Sequence, residues 1–268
     1  MIRKPVVAGM FYPFDKNYLE RMLSKLFDNT KSDGFKCVIS PHAGYEYSGR
    51  TAAFAIGSLE PAKSFVIMGP NHNLIGPEFS VMGSGRWETP LGSVPVDSEL
   101  AKELKKCEIL EEDDLAHARE HSIEVQLPFL QYRFGNFKFV PISIANTDYS
   151  EEFLQKCISL GNHIANVIKN KPVCIVASSD FSHYLPAKTA DIKDSKAVER
   201  IMEFDAEGLF RILEEMDASV CGYAPIALAM QISKQLGIKK AKVINRTNSG
   251  DTTGDYSSVV SYYAIGFG

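Results

Sequence analysis

The chain has 268 residues, 45% apolar and 23% charged, which is the balance of an ordinary water-soluble globule. Its formal charge of −4 argues against a nucleic-acid sheath, and no apolar run approaches the roughly 20 residues that cross a bilayer. A chain of this size buries about three-quarters of its unfolded surface without staples. Its five cysteines, an odd count with no paired spacing, read as reduced thiols of a cytoplasmic protein.

The opening MIRKPVVAGMFYP is broken by Gly9 and Pro13, makes a poor signal peptide, and reads as an irregular packed arm. Residues 15–28 place Leu19, Met22, Leu23, Leu26 and Phe27 on one helical face. FKCVIS, 35–40, reads as a strand, followed by a turn PHAGYEYSG and a small-residue helix RTAAFAIGSL. SFVIMG, 64–69, is a buried strand, and FSVMGSG and RWETPLGSVPVD read as further strands or a hairpin punctuated by Gly and Pro. Helices are predicted at 97–107, 118–132 and 150–169, with a strand KFVPISI between the last two. A strand at 173–177 precedes helices near 191–203, 205–216 and 223–236, and AKVINRT and SSVVSYYAIGF close the chain as an antiparallel pair. Alternating strands and helices predict one α/β domain over 1–268, with a largely parallel or mixed central sheet and helices on both faces.

Several apolar strands end abruptly in reactive side chains. The first runs into Pro41-His42, the next into Pro70-Asn71-His72, and PVCIVASSDFSHYLP into Asp180 and His183. One histidine after a strand is usually a turn or rim residue hydrogen-bonded locally. The same pattern on three strands points to a shared site, because open α/β sheets bind ligands beyond the carboxyl ends of their strands. A small molecule or a peptide in that crevice is the expected ligand.

Cys221, in ASVCGYAPIALAM, lies just before a helix that begins near Gly222 or Tyr223. Unpaired amides at a helix start lower a thiol's pKa, which suits either a metal ligand or a nucleophile paired with His183. An inert small residue at a turn is the bland alternative. In HAREHSIE, His117 and His121 are spaced i, i+4, as in metal-binding helices, but Ala118 stands where a metalloprotease helix has Glu. A helix that aims His121 and Glu124 at the pocket is the simpler reading. Tyr45 and Trp87 are candidate cavity walls.

PHAGYEYSG, GPNH, EHSIEVQLPFLQ, SSDFSHY and CGYAPI, in this order, resemble the Memo family, also labelled AmmeMemoRadiSam system protein B. The likeness runs from VAGMFYP to NSGD and the terminal strands. It implies a fold similar to the LigB-type class III extradiol dioxygenases, which use non-haem ferrous iron. It further implies a metal set of His42, His72 and Cys221, with Asp180, His183 and His121 beside it and His183 where the dioxygenases keep an acid–base histidine. Cys221 in place of a carboxylate softens the donor set, which favours zinc, copper(I) or an altered iron centre, so ring cleavage does not carry over with the fold; iron or copper is the expected metal, and zinc is allowed. The family label also suggests radical-SAM and AMMECR-type proteins as partners. The expected function is a metal-dependent oxidoreductase in which His183, oriented by Asp180, shuttles a proton; a non-catalytic peptide- or protein-binding module with a structural or vestigial metal is the competing expectation.

Overall fold

The computed structural model describes residues 1–268. In chain order its elements are β1 (Ile2–Arg3), α1 (Lys16–Leu26), β2 (Cys37–Ser40), α2 (Tyr45–Gly57), β3 (Ser64–Pro70), β4 (Phe79–Val81), β5 (Arg86–Thr89), β6 (Gly92–Pro95), α3 (Ser98–Leu104), β7 (Glu111–Glu112) and α4 (Leu115–Ala118). A 3₁₀ turn at Glu124–Gln126 leads into α5 (Leu127–Phe134), then β8 (Lys138–Ile144), α6 (Glu151–Ile168), β9 (Val173–Ser178), β10 (His183–Leu185) and α7 (Ala187–Met202). The chain ends with α8 (Ala206–Glu215), α9 (Tyr223–Gln235), β11 (Ala241–Asn248), α10 (Gly250–Thr253) and β12 (Val259–Phe267).

The main sheet runs β10-β12-β2-β9-β3-β8-β4-β7, with β11 also paired to β12. Strands β2, β9, β3 and β8 are mutually parallel, whereas β12 and β4 run antiparallel to their neighbours β2 and β8. The fold is therefore mixed α/β, as the element order predicted. The central strands read as unbroken apolar runs because both of their faces are covered. Successive residues point to opposite faces. Val66 and Met68 join α3, α6, α7, α8 and α9 on one side, while Phe65 and Ile67 join α1, α2 and α5 on the other. Strands β5 and β6 form the expected hairpin, which pairs with β1 in a separate small sheet.

Three expectations need correction. The N-terminal arm is not wholly irregular: Ile2 and Arg3 pair with Arg86 and Trp87, and the Arg3 side chain is buried against Glu124. Helix α2 begins at Tyr45, inside the stretch read as a turn. The helix predicted at 118–132 does not exist as one piece. Helix α4 stops at Ala118, and the chain crosses 119–123 irregularly before the 3₁₀ turn and α5. The cause is Glu120, whose buried carboxylate takes the amides of His121 and Ser122, both at 2.8 Å, and folds the backbone around itself.

Candidate metal centre

Parallel neighbours end side by side, so β2 and β3, flanking β9, deliver His42 and His72 to the same edge of the sheet. Cys221 arrives from the turn before α9, whose N-cap is Gly222. The ligand atoms of His42, His72 and Cys221 all lie within 4.8 Å of one another, and Cys221 Sγ is 3.2 Å from His42 Nε2. The rings of His42 and His72 meet edge-on with centroids 5.2 Å apart.

Cys221 reaches this point because Gly222 has no side chain. A Cβ there would lie 2.4 Å from the Ser178 carbonyl oxygen and 2.5 Å from Ser179 Cβ. Instead the Gly222 amide donates to Ser179 Oγ at 3.0 Å, and the Asp180 amide lies 3.2 Å from Cys221 Sγ. From the end of β8, Asn146 donates its side-chain amide to the Cys221 carbonyl. Burial pushes the Cys221 thiol well above its ordinary pKa, and nearby Asp180 adds to the rise. The lowering expected from the helix start does not prevail, because enclosure by protein outweighs the few free amides.

Each histidine is held through Nδ1. His72 Nδ1 donates to Glu120 Oε1 at 3.0 Å, and the His72 amide donates to Oε2 at 2.6 Å. Burial alone would lower the His72 pKa, but the Glu120 carboxylate reverses this and the net shift is upward. Burial opposes ionisation of Glu120 too, yet its bond to His72 and the charges of His72 and His121 bring its pKa down to about 2. His42 Nδ1 lies 2.9 Å from Ser178 Oγ, and burial together with the surrounding histidines keeps its pKa well below the usual value. Neutral imidazoles with an anchored Nδ1, joined by a sulfur, fit a transition-metal ion. Metal–ligand bonds of about 2.0–2.3 Å set the donors about 3.6 Å apart, a separation that falls between the 3.2 Å of the Cys221–His42 pair and the 4.8 Å limit of the set.

The remaining expected residues occupy the same crevice. Asp180 accepts the His42 amide at 2.8 Å and stands 3.9 Å from His42 Nε2, and burial raises its pKa. It anchors the turn after β2 and makes no hydrogen bond to His183. Rather, His183 is oriented by Ser219: its Nδ1 donates to the Ser219 carbonyl at 2.8 Å and its amide to Ser219 Oγ at 2.9 Å. The imidazole within reach of the Cys221 sulfur is that of His42, which disfavours a Cys221–His183 nucleophile pair. His121 stacks on His72 with ring centroids 4.8 Å apart, and burial lowers its pKa.

His117 does not join them. It is buried beside Trp87 with ring centroids 5.8 Å apart, both ring nitrogens lack partners, and burial drives its pKa down to about 3. The interrupted helix separates it from His121. Trp87 and Tyr45 are not cavity walls either: the first stacks under the Arg3 guanidinium, and the second donates its hydroxyl to the Val125 carbonyl at 2.7 Å. The cavity, about 410 Å³, is walled instead by Phe11, Tyr47, Tyr184 and Tyr262 around His42, His72, His121, Asp180 and His183. A larger open groove of about 1100 Å³ lies at the opposite ends of β3, β8 and β9 and contains no histidine or cysteine.

Reading the sequence missed the supports: Glu120, Gln126, Ser178, Ser219 and Asn146. Glu120 had the best signal, a carboxylate directly before His121 in a segment rich in buried polar residues.

Comparison with known proteins places the chain in a family. The family model described as Memo-like protein matches residues 3–266. A MEMO1 family protein of Methanosarcina barkeri is 43% identical over 98% of this chain and 99% of its own length. One from Nitrosopumilus maritimus is 42% identical over the full length of both. The crystal structure of an uncharacterized protein from Escherichia coli K12 superposes with a TM-score of 0.61 at 12% identity, covering 87% of this chain and all of that one. That likeness extends to the fold alone, but a family match along almost the whole chain and relatives above two-fifths identity leave one conclusion: this chain belongs to the Memo-like protein family.

Proposed function

We propose that this protein binds one redox-active metal ion between His42, His72 and Cys221 and acts as a metal-dependent oxidoreductase on a ligand held in the strand-end cavity. One observation carries the reading: three donors from separate segments lie within 4.8 Å, on two imidazoles already anchored through Nδ1. A bound iron or copper ion would supply electron-transfer and Lewis-acid chemistry, whereas zinc would supply only the latter. The thiol of Cys221 distinguishes the set from a two-histidine, one-carboxylate face and shifts its preference toward softer ions.

The chain's own groups account for the proton and the ligand. With Nδ1 donating to a carbonyl, His183 leaves Nε2 as the ring nitrogen open to the ligand, and the residue lines the cavity. Phe11, seated against His121 with ring centroids 4.8 Å apart, narrows the space above the histidines. The lining contains no Lys or Arg, which favours an uncharged organic molecule or peptide segment over a phosphorylated one. A cytoplasmic setting and radical-SAM and AMMECR-type partner proteins complete the proposal. No helix is long and apolar enough to cross a membrane.

The deciding experiment is elemental analysis of protein isolated without oxygen, followed by oxygen uptake with a reductant. Iron or copper near one per chain, with uptake lost in His42→Ala, supports the proposal. Metal retained after replacing His42, His72 and Cys221 together would overturn it.

A second reading treats the cavity as a binding pocket without turnover. Tyr184 favours it: its backbone holds φ at 57°, rare for a bulky residue, and the residue is 77% exposed beside the cavity, as a recognition contact would be. Firm capture of a peptide by metal-free protein, with no oxygen consumed by the loaded form, would select this reading.

A further inference from the structure

Behind His42 lies a fully buried polar network that no metal-ligand pattern predicts. It comprises Ser40, Gln126 and Ser178 and the carbonyls of Pro41 and Ser122, with all three side chains at 0% exposure. Two of its members are backbone carbonyls, which only accept hydrogen bonds, and these fix every proton in it.

The Gln126 side-chain atom 2.8 Å from the Pro41 carbonyl must be the amide nitrogen. Its other proton goes to Ser178 Oγ at 3.0 Å, while Gln126 Oε1 accepts from Ser40 Oγ at 2.8 Å. Ser178 has a single hydroxyl proton, which it donates to the Ser122 carbonyl at 2.7 Å. The Ser178 oxygen therefore has only a lone pair left for His42 Nδ1, 2.9 Å away. His42 Nδ1 must carry the hydrogen, and Nε2 is left bare, facing Cys221 Sγ at 3.2 Å.

We propose that Gln126 and Ser178 are positioning residues that lock His42 in its Nδ1–H tautomer, so that Nε2 is presented to a cation before one arrives. This deepens the metal-site reading and rests on it for its purpose, though the lock itself is a property of the metal-free chain. Free imidazole favours neither nitrogen strongly, so without the lock a fraction of the protein would direct an N–H at the ion. The two histidines then differ in kind. His72 leans on a carboxylate, which makes it the stronger donor, while His42 leans on a neutral hydroxyl. The device also explains the polar end of β9: Ser178 closes an apolar strand because its oxygen must reach three partners at once.

The test begins with metal-free wild-type protein labelled with ¹⁵N in its histidine rings, at mildly alkaline pH. Long-range proton–nitrogen correlation spectra report which ring nitrogen is protonated, and the His42 signals are identified by their loss in His42→Ala. We expect His42 as the Nδ1–H form. In Ser178→Ala it should move to Nε2–H or a mixture, with Co²⁺ or Zn²⁺ affinity falling about 10–100-fold. Ser178→Thr, which keeps the hydroxyl, should restore both. An Nε2–H tautomer in the wild type would overturn the proposal with no variant needed. A tautomer unchanged in a folded Ser178→Ala would do the same. Wild-type protein that shows the tautomer but takes up neither ion would leave the lock standing and defeat the metal reading instead.

Discussion

Glu120 grips His72 at two points, taking the ring through Oε1 and the backbone amide through Oε2. The same carboxylate also accepts the amides of His121 and Ser122, so one buried acid shapes both the histidine and the segment that covers it.

Glu120→Gln keeps the size but replaces one acceptor oxygen with a donor that faces other donors. We expect metal affinity to fall about 10–100-fold. The fold should lose about 1–3 kcal/mol, from buried groups left unpaired. Competition against a chromophoric chelator and denaturant unfolding measure the two effects separately.

Gly222→Ala should be far more damaging than an alanine usually is. The new Cβ would meet the Ser178 carbonyl at 2.4 Å, so the start of α9 must back away and carry Cys221 with it. A stability loss of about 1–3 kcal/mol is expected. The Co²⁺-loaded variant should lose its thiolate charge-transfer absorption, and full retention of that band would contradict the geometry.

Metal uptake should release a proton. In the metal-free chain burial holds the Cys221 thiol well above its ordinary pKa, so it is protonated at neutrality and must ionise to bind. Affinity should therefore rise with pH, by about tenfold per unit through neutrality, with about one proton released per ion. The raised His72 adds a smaller release on the acid side. Calorimetry in buffers of different ionisation enthalpy counts the protons, and a count of zero would refute the assignment of Cys221 as ligand.

Cys221→Asp would turn the donor set into two histidines and a carboxylate. Preference should shift from Cu(I) and Zn²⁺ toward Fe²⁺. Paired competition titrations of both proteins against the same chelator show whether it does.

Arg3→Ala tests the arm. The guanidinium is 2% exposed and its partner Glu124 is fully buried, where Glu124 also accepts Val6, Val7 and the Tyr12 hydroxyl. Leaving that carboxylate without its cation should cost about 3–5 kcal/mol, read from the shift of the denaturation midpoint. The loosened arm would also release Phe11 from the cavity.

Much of this was legible in the linear chain because its signals are local. Apolar runs such as SFVIMG and VCIVAS declare doubly covered strands, and residues placed just past a strand end, His42, His72, Asp180 and His183, can only emerge at the carboxyl edge of the sheet. Cys221 was marked by the turn before α9. The helix that failed at 118–132 had the correct apolar spacing, but periodicity cannot register a buried carboxylate that draws neighbouring amides to itself.

The order of elements and the apolar patterning thus determined the fold class and which side chains stand at the sheet's carboxyl edge, since both follow from neighbours along the backbone. What only the tertiary structure decided was which of those side chains touch. Sheet order set β9 between β2 and β3, Gly222 let the Cys221 turn close on Ser178, and Ser219 rather than Asp180 came to orient His183. Those contacts join residues separated by tens to more than a hundred positions, and hydrogen bonding across such gaps depends on how the layers pack, which no local pattern encodes.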